Sequence, residues 1–239
     1  MQKLKESLKD RQARAGKILK RLLASPKPLT GLKNWNPKKS WQYLFCVILS
    51  AQANDDQVNR ATKKLFKSFP TLTAIADADT RQIQSAIKTI GIYKNKAKYL
   101  HTAAQQLLQN HHGNVPKTLK KLTKLAGVGR KTANVYQGVI LGKSEGIAVD
   151  THAARVSQRL GLVRNAGISN RADKNVSSTI NSNLTPDQIE RKLMKIFPRN
   201  KYYLVNPAFF WHGRTICIAR KPKCKKCIIN DLCPSAQID

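Results

Sequence analysis

The stretch LKKLTKLAGVGRKTANVYQGVILGKSEGIAVDTHAARV, residues 119–156, decides how the chain is read. Leu119, Leu122 and Leu125 recur at helical spacing, predicting a short helix that ends at Leu125. Ala126-Gly127-Val128-Gly129 then reads as a turn, because glycine permits positive φ and close approach of the backbone. A second helix opens at Arg130. Together these make a helix-hairpin-helix.

A turn of this kind points N–H groups outward at a helix N-terminus, where the helix dipole adds to them and a phosphate can dock without a basic side chain. Lys131 stands in the first turn of the second helix. There the helix end and Arg130 both disfavour the ammonium form, which makes Lys131 a candidate nucleophile. Downstream, Ile147-Ala148-Val149 is a short apolar run, and Asp150 is placed to cap a helix beginning at Thr151-His152. Taken singly, each feature has a plainer reading: a solvated lysine, a cap, a glycine turn.

Charge points to a polyanionic partner. The 239 residues hold 44 Lys and Arg against 13 Asp and Glu, a formal net charge of +31. Nucleic acid, ribosomal RNA and an anionic membrane face all satisfy such an excess, so composition does not choose among them. No apolar run is long and clean enough to span a bilayer. The N-terminal MQKLKESLKDRQARAGKILKRLL has helical spacing through Leu4, Leu8, Ile18 and Leu22. It lacks the apolar centre of a secretory signal, and Glu6 and Asp10 argue against a transit peptide, so it reads as a basic amphipathic helix. A membrane-surface role is the lesser alternative.

Residues 25–39, with three prolines and a glycine, predict an extended connector. Trp41 to Ala53 is apolar nearly all round and predicts a core helix in which Cys46 is an inert buried thiol. Short helices carry Ile75, Ile83, Ile87 and Ile90, and Gly91-Ile92-Tyr93 breaks the pattern before a helix over residues 94–111. A polar insert rich in Asn and Ser occupies 164–186, and Thr185-Pro186 starts a further helix through Ile189, Leu193 and Ile196.

Four of the five cysteines, Cys217, Cys224, Cys227 and Cys233, fall in one C-x6-C-x2-C-x5-C window. A chain of this size needs no disulfide staples, so a metal site is favoured. Zinc prefers two close pairs and only Cys224 and Cys227 form one; four thiolates suit an iron–sulfur cluster equally.

LAGVGRKTAN followed by VDTH, with ILSAQANDDQVNRAT and HGRTICIARKPKCKKCIINDLC, resembles the endonuclease III family of DNA glycosylases, part of the helix-hairpin-helix superfamily. The resemblance runs from about Trp41 to Cys233, leaving out the N-terminal extension and the polar insert. It implies an all-α, two-domain helix-hairpin-helix glycosylase fold. Residues 33–143 would form a six-helix barrel domain with the hairpin. Residues 1–32 plus 144–239 would form a second helical domain with a cluster loop at 217–233.

The resemblance further implies that Lys131 attacks the sugar C1′ with help from Asp150. Gln52 would enter the space left by an extruded base, and Ile92 would be a wedge where the family usually has leucine. Gly127, Val128, Gly129 and Arg130, with Thr151 and His152, would contact DNA, and the four cysteines would hold a [4Fe-4S] cluster rather than zinc.

The implied function is a bifunctional DNA glycosylase and AP lyase of base excision repair. Such an enzyme removes oxidised pyrimidines through a lysine Schiff base and nicks the strand by β-elimination. Its partner would be double-stranded DNA with a damaged base or abasic site. A monomer is expected, with no membrane association, intracellular and in the cytoplasm or nucleoid of a bacterial host. Two alternatives stand behind it. An adenine-mismatch-type monofunctional glycosylase typically lacks the lysine and has Gly-Asn at Thr151-His152. A non-enzymatic DNA-binding redox sensor has no need of Lys131 with Asp150.

Overall fold

A computed structural model of the chain describes residues 6–24, 27–163 and 184–237. Leu4 and all but the last three residues of the polar insert lie outside the described residues. The chain forms two compact units, Thr30–Glu145, and Met1–Leu29 together with Gly146–Asp239. Among the described residues the regular structure is helical throughout, which makes the fold all-α.

In the unit Thr30–Glu145, α2 (Ser40–Ser50) is central: every residue from Trp41 to Leu49 is buried, as an all-round apolar helix requires. Each large side chain in it, such as Phe45, contributes about 1.5–3 kcal/mol by leaving water. Against it pack α3 (Asp55–Ser68), α6 (Tyr93–His111) and α8 (Arg130–Leu141). The short α4 (Leu72–Ala76) and α5 (Thr80–Ile87) turn Ile75, Ile83 and Ile87 inward and pack on α6. Sequence punctuation sets the starts of these helices. Asn54 and Asp79 form capping boxes with Gln57 and Gln82, and Thr71 caps α4. The fragment α7 (Leu119–Leu122) leads into the hairpin.

The other unit assembles α1 (Leu8–Ala24), α9 (Thr151–Arg159), α10 (Pro186–Met194) and α11 (Tyr202–Thr215) around Ile18, Val156, Leu193, Val205 and Phe209. Thr185 and Gln188 form a capping box before Pro186, the first residue of α10. On α1 the inward face is Ala15, Ile18 and Leu19, with Leu22 partly buried. Leu8, expected on that face, is 54% exposed. The first turns of α1 are held by polar contacts instead. Arg14 pairs with Glu6 at 2.6 Å and donates to Leu160 O and Leu232 O, tying α1 to the C-terminal loop.

Candidate nucleic-acid interface and cysteine pocket

The hairpin's first helix stops at Leu122, three residues before the expected Leu125. The hydroxyl of Thr123 donates to Leu119 O at 3.0 Å, and the chain continues in tighter turns, with Leu125 N donating to Leu122 O and Val128 N to Leu125 O. Glu145 Oε1 holds the start of α7 by accepting from Leu119 N. From α6, Gln106 Oε1 accepts from Ala126 N at 2.8 Å and fixes the turn from behind.

The two glycines of the turn stand in different surroundings. Gly127 has φ +73°, and a Cβ on it would lie 2.8 Å from Tyr99 Cβ, so both conformation and space exclude a side chain. Gly129 has φ −83°, and a Cβ there would meet nothing within 4 Å. The chain itself does not demand glycine at 129, and the space a side chain would fill there is open.

Gly129 is the N-cap of α8 and, having no side chain, supplies no side-chain cap to the N–H groups that open this helix. Arg130 and Lys131 are exposed beside them. Val128 is different: its side chain is in the core and its N–H is spent on Leu125 O. It anchors the turn and leaves the outward face to Gly129, Arg130 and Lys131.

Gln52 and Ile92 have one unusual property in common. Both are non-glycine residues with positive φ, 54° and 57°, and both are exposed, Ile92 at 55%. A left-handed conformation costs an L-residue roughly 1–2 kcal/mol, more for a β-branched one such as Ile92. The loops meet: a Cβ on Gly91 would stand 3.7 Å from Gln52 O. Beneath them Lys96 is buried, its Nζ donating to Leu49 O at 2.9 Å and Ala51 O at 2.5 Å, while its backbone N–H donates to Ile92 O. Burial lowers the Lys96 ammonium below its ordinary range. Sequence reading missed this residue, which looks like one more solvated lysine on α6. The one available signal is its helical spacing with Ala97, Leu100 and Ala103 on the inward side.

Asp150 is the N-cap of α9, its Oδ1 accepting from Ala153 N at 2.7 Å. Thr151 beside it is exposed. His152 is half-buried, its ring edge-on to Phe210 at 5.2 Å and its Nδ1 3.2 Å from the Arg155 guanidinium. Close packing at Gly213 holds this arrangement, since a Cβ there would lie 3.0 Å from His152 Cβ. Arg155 also donates to Gly213 O and Cys217 O, linking α9 to the start of the cysteine loop.

Cys217, Cys224, Cys227 and Cys233 are free thiols that line one pocket of about 410 Å³, part of it open to solvent. Among the described residues, no three His, Cys, Asp or Glu side chains converge as a single bound ion requires. Arg159, 2% exposed, lines the same pocket, donating to Ile218 O, Ala219 O and Cys217 Sγ while its Nε lacks a partner. His212 Nε2 lies 3.7 Å from Cys227 Sγ, and burial holds this imidazole down at about 4, keeping it neutral. Burial pushes the Cys233 thiol up to about 11. Neither Arg159 nor His212 was singled out from the sequence; His212 opens the quoted HGRTIC segment, and Arg159 carries no signal beyond standing one helical turn after Arg155.

With the geometry in view, comparison with known proteins is specific. Residues 45–181 match the HhH-GPD family, described as HhH-GPD superfamily base excision DNA repair protein. The chain is 41% identical over 209 residues to Endonuclease III of Haemophilus influenzae (strain ATCC 51907 / DSM 11121 / KW20 / Rd), covering 87% of this chain and 89% of that protein. It is 39% identical over 223 residues to Endonuclease III of Escherichia coli (strain K12), covering 93% and 95%. It also superimposes on a trapped Endonuclease III–DNA covalent intermediate, an estranged-adenine complex, with TM-score 0.78 and 32% identity over 94% of this chain and 96% of that one. The chain belongs to the endonuclease III family of the HhH-GPD superfamily, as the motif resemblance implied. No helix of the described residues is long and apolar enough to cross a membrane.

Proposed function

We propose that the chain is a bifunctional DNA glycosylase and AP lyase acting on duplex DNA that carries oxidised pyrimidines, with Lys131 as nucleophile and Asp150 as its proton and charge partner. The observation that carries the reading is the exposed Lys131 in the first turn of α8, directly after a hairpin turn whose N-cap, Gly129, has open space where a side chain would stand. The solved relative trapped as a covalent intermediate with DNA supports nucleophilic chemistry of this kind.

In the proposed mechanism the N–H groups opening α8 receive a DNA phosphate. The Asp150 carboxylate offsets the positive charge growing on the sugar as the bond from C1′ to the base weakens, and then takes the proton that Lys131 Nζ releases as it bonds to C1′. The lone pair on Lys131 Nζ forms the new bond to C1′, and the glycosidic electrons leave with the base, which receives the proton held by Asp150 and so restores its carboxylate. Opening of the sugar ring gives an iminium linkage between Nζ and C1′. Loss of a C2′ proton then expels the 3′ phosphate, which cuts the strand by β-elimination. Gln52 and Ile92 fill the stack that an extruded nucleotide vacates, an exposed polar residue and an exposed apolar one side by side. Arg130 and Thr151 serve as further DNA contacts.

Cys217, Cys224, Cys227 and Cys233 line one pocket, and with only Cys224 and Cys227 closely paired in sequence the four fit a [4Fe-4S] cluster better than one zinc ion. The partnerless Arg159 Nε on the same pocket supports an anionic occupant. Such a cluster supplies structural cross-linking and one-electron chemistry, not acid–base catalysis. The four thiolates would fix the loop that carries Arg220, Lys221 and Lys223 toward phosphates. The enzyme would act as a monomer, inside the cell where DNA lies.

The test is incubation with duplexes containing thymine glycol, an abasic site or only normal bases. The proposal expects free base and a 3′ nick from the first, a nick from the second and neither from the third. Base release without nicking would replace it with a monofunctional glycosylase; binding without either product would replace it with a DNA-binding module.

A further inference from the structure

Of the buried ionisable groups, Lys96 has no part in the chemistry above. It is 4% exposed in a chain whose other lysines have abundant surface to occupy. A buried ammonium is retained at a cost unless its donors are satisfied and its position matters. Here Nζ donates to Leu49 O and Ala51 O, carbonyls at the C-terminal end of α2 that the helix leaves unsatisfied. The residue following Ala51 is Gln52. The backbone N–H of the same lysine donates to Ile92 O at 3.1 Å. That backbone bond is the ordinary first bond of α6, whose N-cap is Ile92; the side chain of Lys96 ties this helix start to the chain immediately before Gln52, and Gln52 and Ile92 are both exposed and left-handed.

We propose that Lys96 is a positioning residue for base extrusion: its ammonium ties α6, whose N-cap is Ile92, to the end of α2 just before Gln52, so that both side chains are held to enter the DNA stack together. This rests on reading Gln52 and Ile92 as the inserting pair. Without the ammonium, the two left-handed residues keep only local backbone bonds such as Ala53 N–H to Ser50 O and lose the tie between their two helices, so relaxation to ordinary backbone angles becomes easier. The wedge then pays ordering entropy at the moment of insertion instead of in folding. Lys96 contacts neither sugar nor base, so a substrate that needs no extrusion does not depend on it.

The experiment compares Lys96→Met, Gln52→Ala, Ile92→Ala and the parent protein on two duplexes. One carries a thymine glycol with 2-aminopurine in the flanking step, whose fluorescence rises on unstacking. The other carries a natural abasic site, where no base has to leave the stack before Lys131 reacts. Lys96→Met should lower the fluorescence rise and the rate of base release by on the order of tenfold or more. Nicking of the abasic duplex should stay within about threefold of the parent.

Equal losses on both duplexes, or no loss on either, would overturn the role of Lys96. If Gln52→Ala and Ile92→Ala leave the fluorescence unchanged, the insertion reading itself fails. If those two lose the signal while Lys96→Met keeps it, only the lock fails. Should Lys96→Met not fold, Lys96→Gln, which keeps an N–H donor for one carbonyl, replaces it and the same ratio between the two duplexes decides.

Discussion

Replacing each hairpin glycine by alanine separates what the fold needs from what a phosphate needs. At Gly127 the change forces alanine to φ +73°, costing about 1–2 kcal/mol, and drives a methyl to 2.8 Å from Tyr99 Cβ. Moving that ring adds strain, so a total loss of about 2–3 kcal/mol is expected. At Gly129 the backbone angles, φ −83° and ψ 174°, suit alanine and the methyl enters open space. Losing glycine at an N-cap costs up to about 1 kcal/mol, and stiffening the unfolded chain returns about 0.4–1 kcal/mol. Stability should therefore move by no more than about 0.5 kcal/mol.

DNA affinity should behave in the opposite way at this position. A methyl at 129 lifts a phosphate off the N–H groups opening α8, forfeiting a charge-assisted hydrogen bond of about 1.5–3 kcal/mol. That is on the order of tenfold to a hundredfold in Kd. Urea unfolding and fluorescence anisotropy with an abasic-analogue duplex at fixed salt measure the two quantities. A Gly129→Ala protein that binds normally, or one destabilised as much as Gly127→Ala, would refute this division of labour.

Three further outcomes follow from the same geometry. Asp150→Asn keeps the cap on Ala153 N, because asparagine caps about as well as aspartate, yet should cut base release by on the order of a hundredfold; near-normal single-turnover release would make Asp150 a cap only. Lys96 is lowered by burial from its ordinary 10.5, so between its folded value and 10.5 the unfolded chain holds more protons than the folded one and stability rises with pH. The stability advantage of the parent protein over Lys96→Met, from chemical denaturation across that window, should therefore grow with pH; a shrinking one contradicts the buried-ammonium picture. Cys224→Ser should lose iron and sulfide by metal analysis and loosen the C-terminal loop, while leaving Lys131 chemistry on saturating DNA within about threefold; stoichiometric zinc in the parent protein would contradict the cluster assignment.

Much of this architecture can be read in advance because local chemistry and burial agree. Asp150 and Thr185 announce helix starts by caps that the structure forms, and the run from Trp41 to Leu49, apolar except for Gln42, has to be central. Disagreement arises where a side chain has two physical options. Thr123 returns its hydroxyl to Leu119 O and shortens the first hairpin helix, although leucine spacing continues to Leu125. Leu8 has helical spacing but is exposed, because polar contacts of Arg14 organise that end of α1.

Lys96 and Arg159 were hidden for a related reason. A basic residue in a chain with 44 of them reads as solvated until the carbonyls it satisfies are folded against it. The family motifs named Lys131, Asp150, Gln52 and Ile92. That Gln52 and Ile92 are both left-handed, with the Lys96 ammonium on the α2 carbonyls just before Gln52, is tertiary information that no spacing carries.

The most direct measurement is borohydride trapping on thymine glycol duplex, followed by mapping of the modified peptide in the parent protein and in Lys131→Gln. Lys131 is exposed at a helix start, so glutamine should leave stability and most DNA affinity intact, one cation being worth about one phosphate contact at most. The account predicts a covalent adduct on Lys131 in the parent, and neither adduct nor strand nicking in the variant. An adduct mapped to another amine, or trapping that persists in Lys131→Gln, would contradict it.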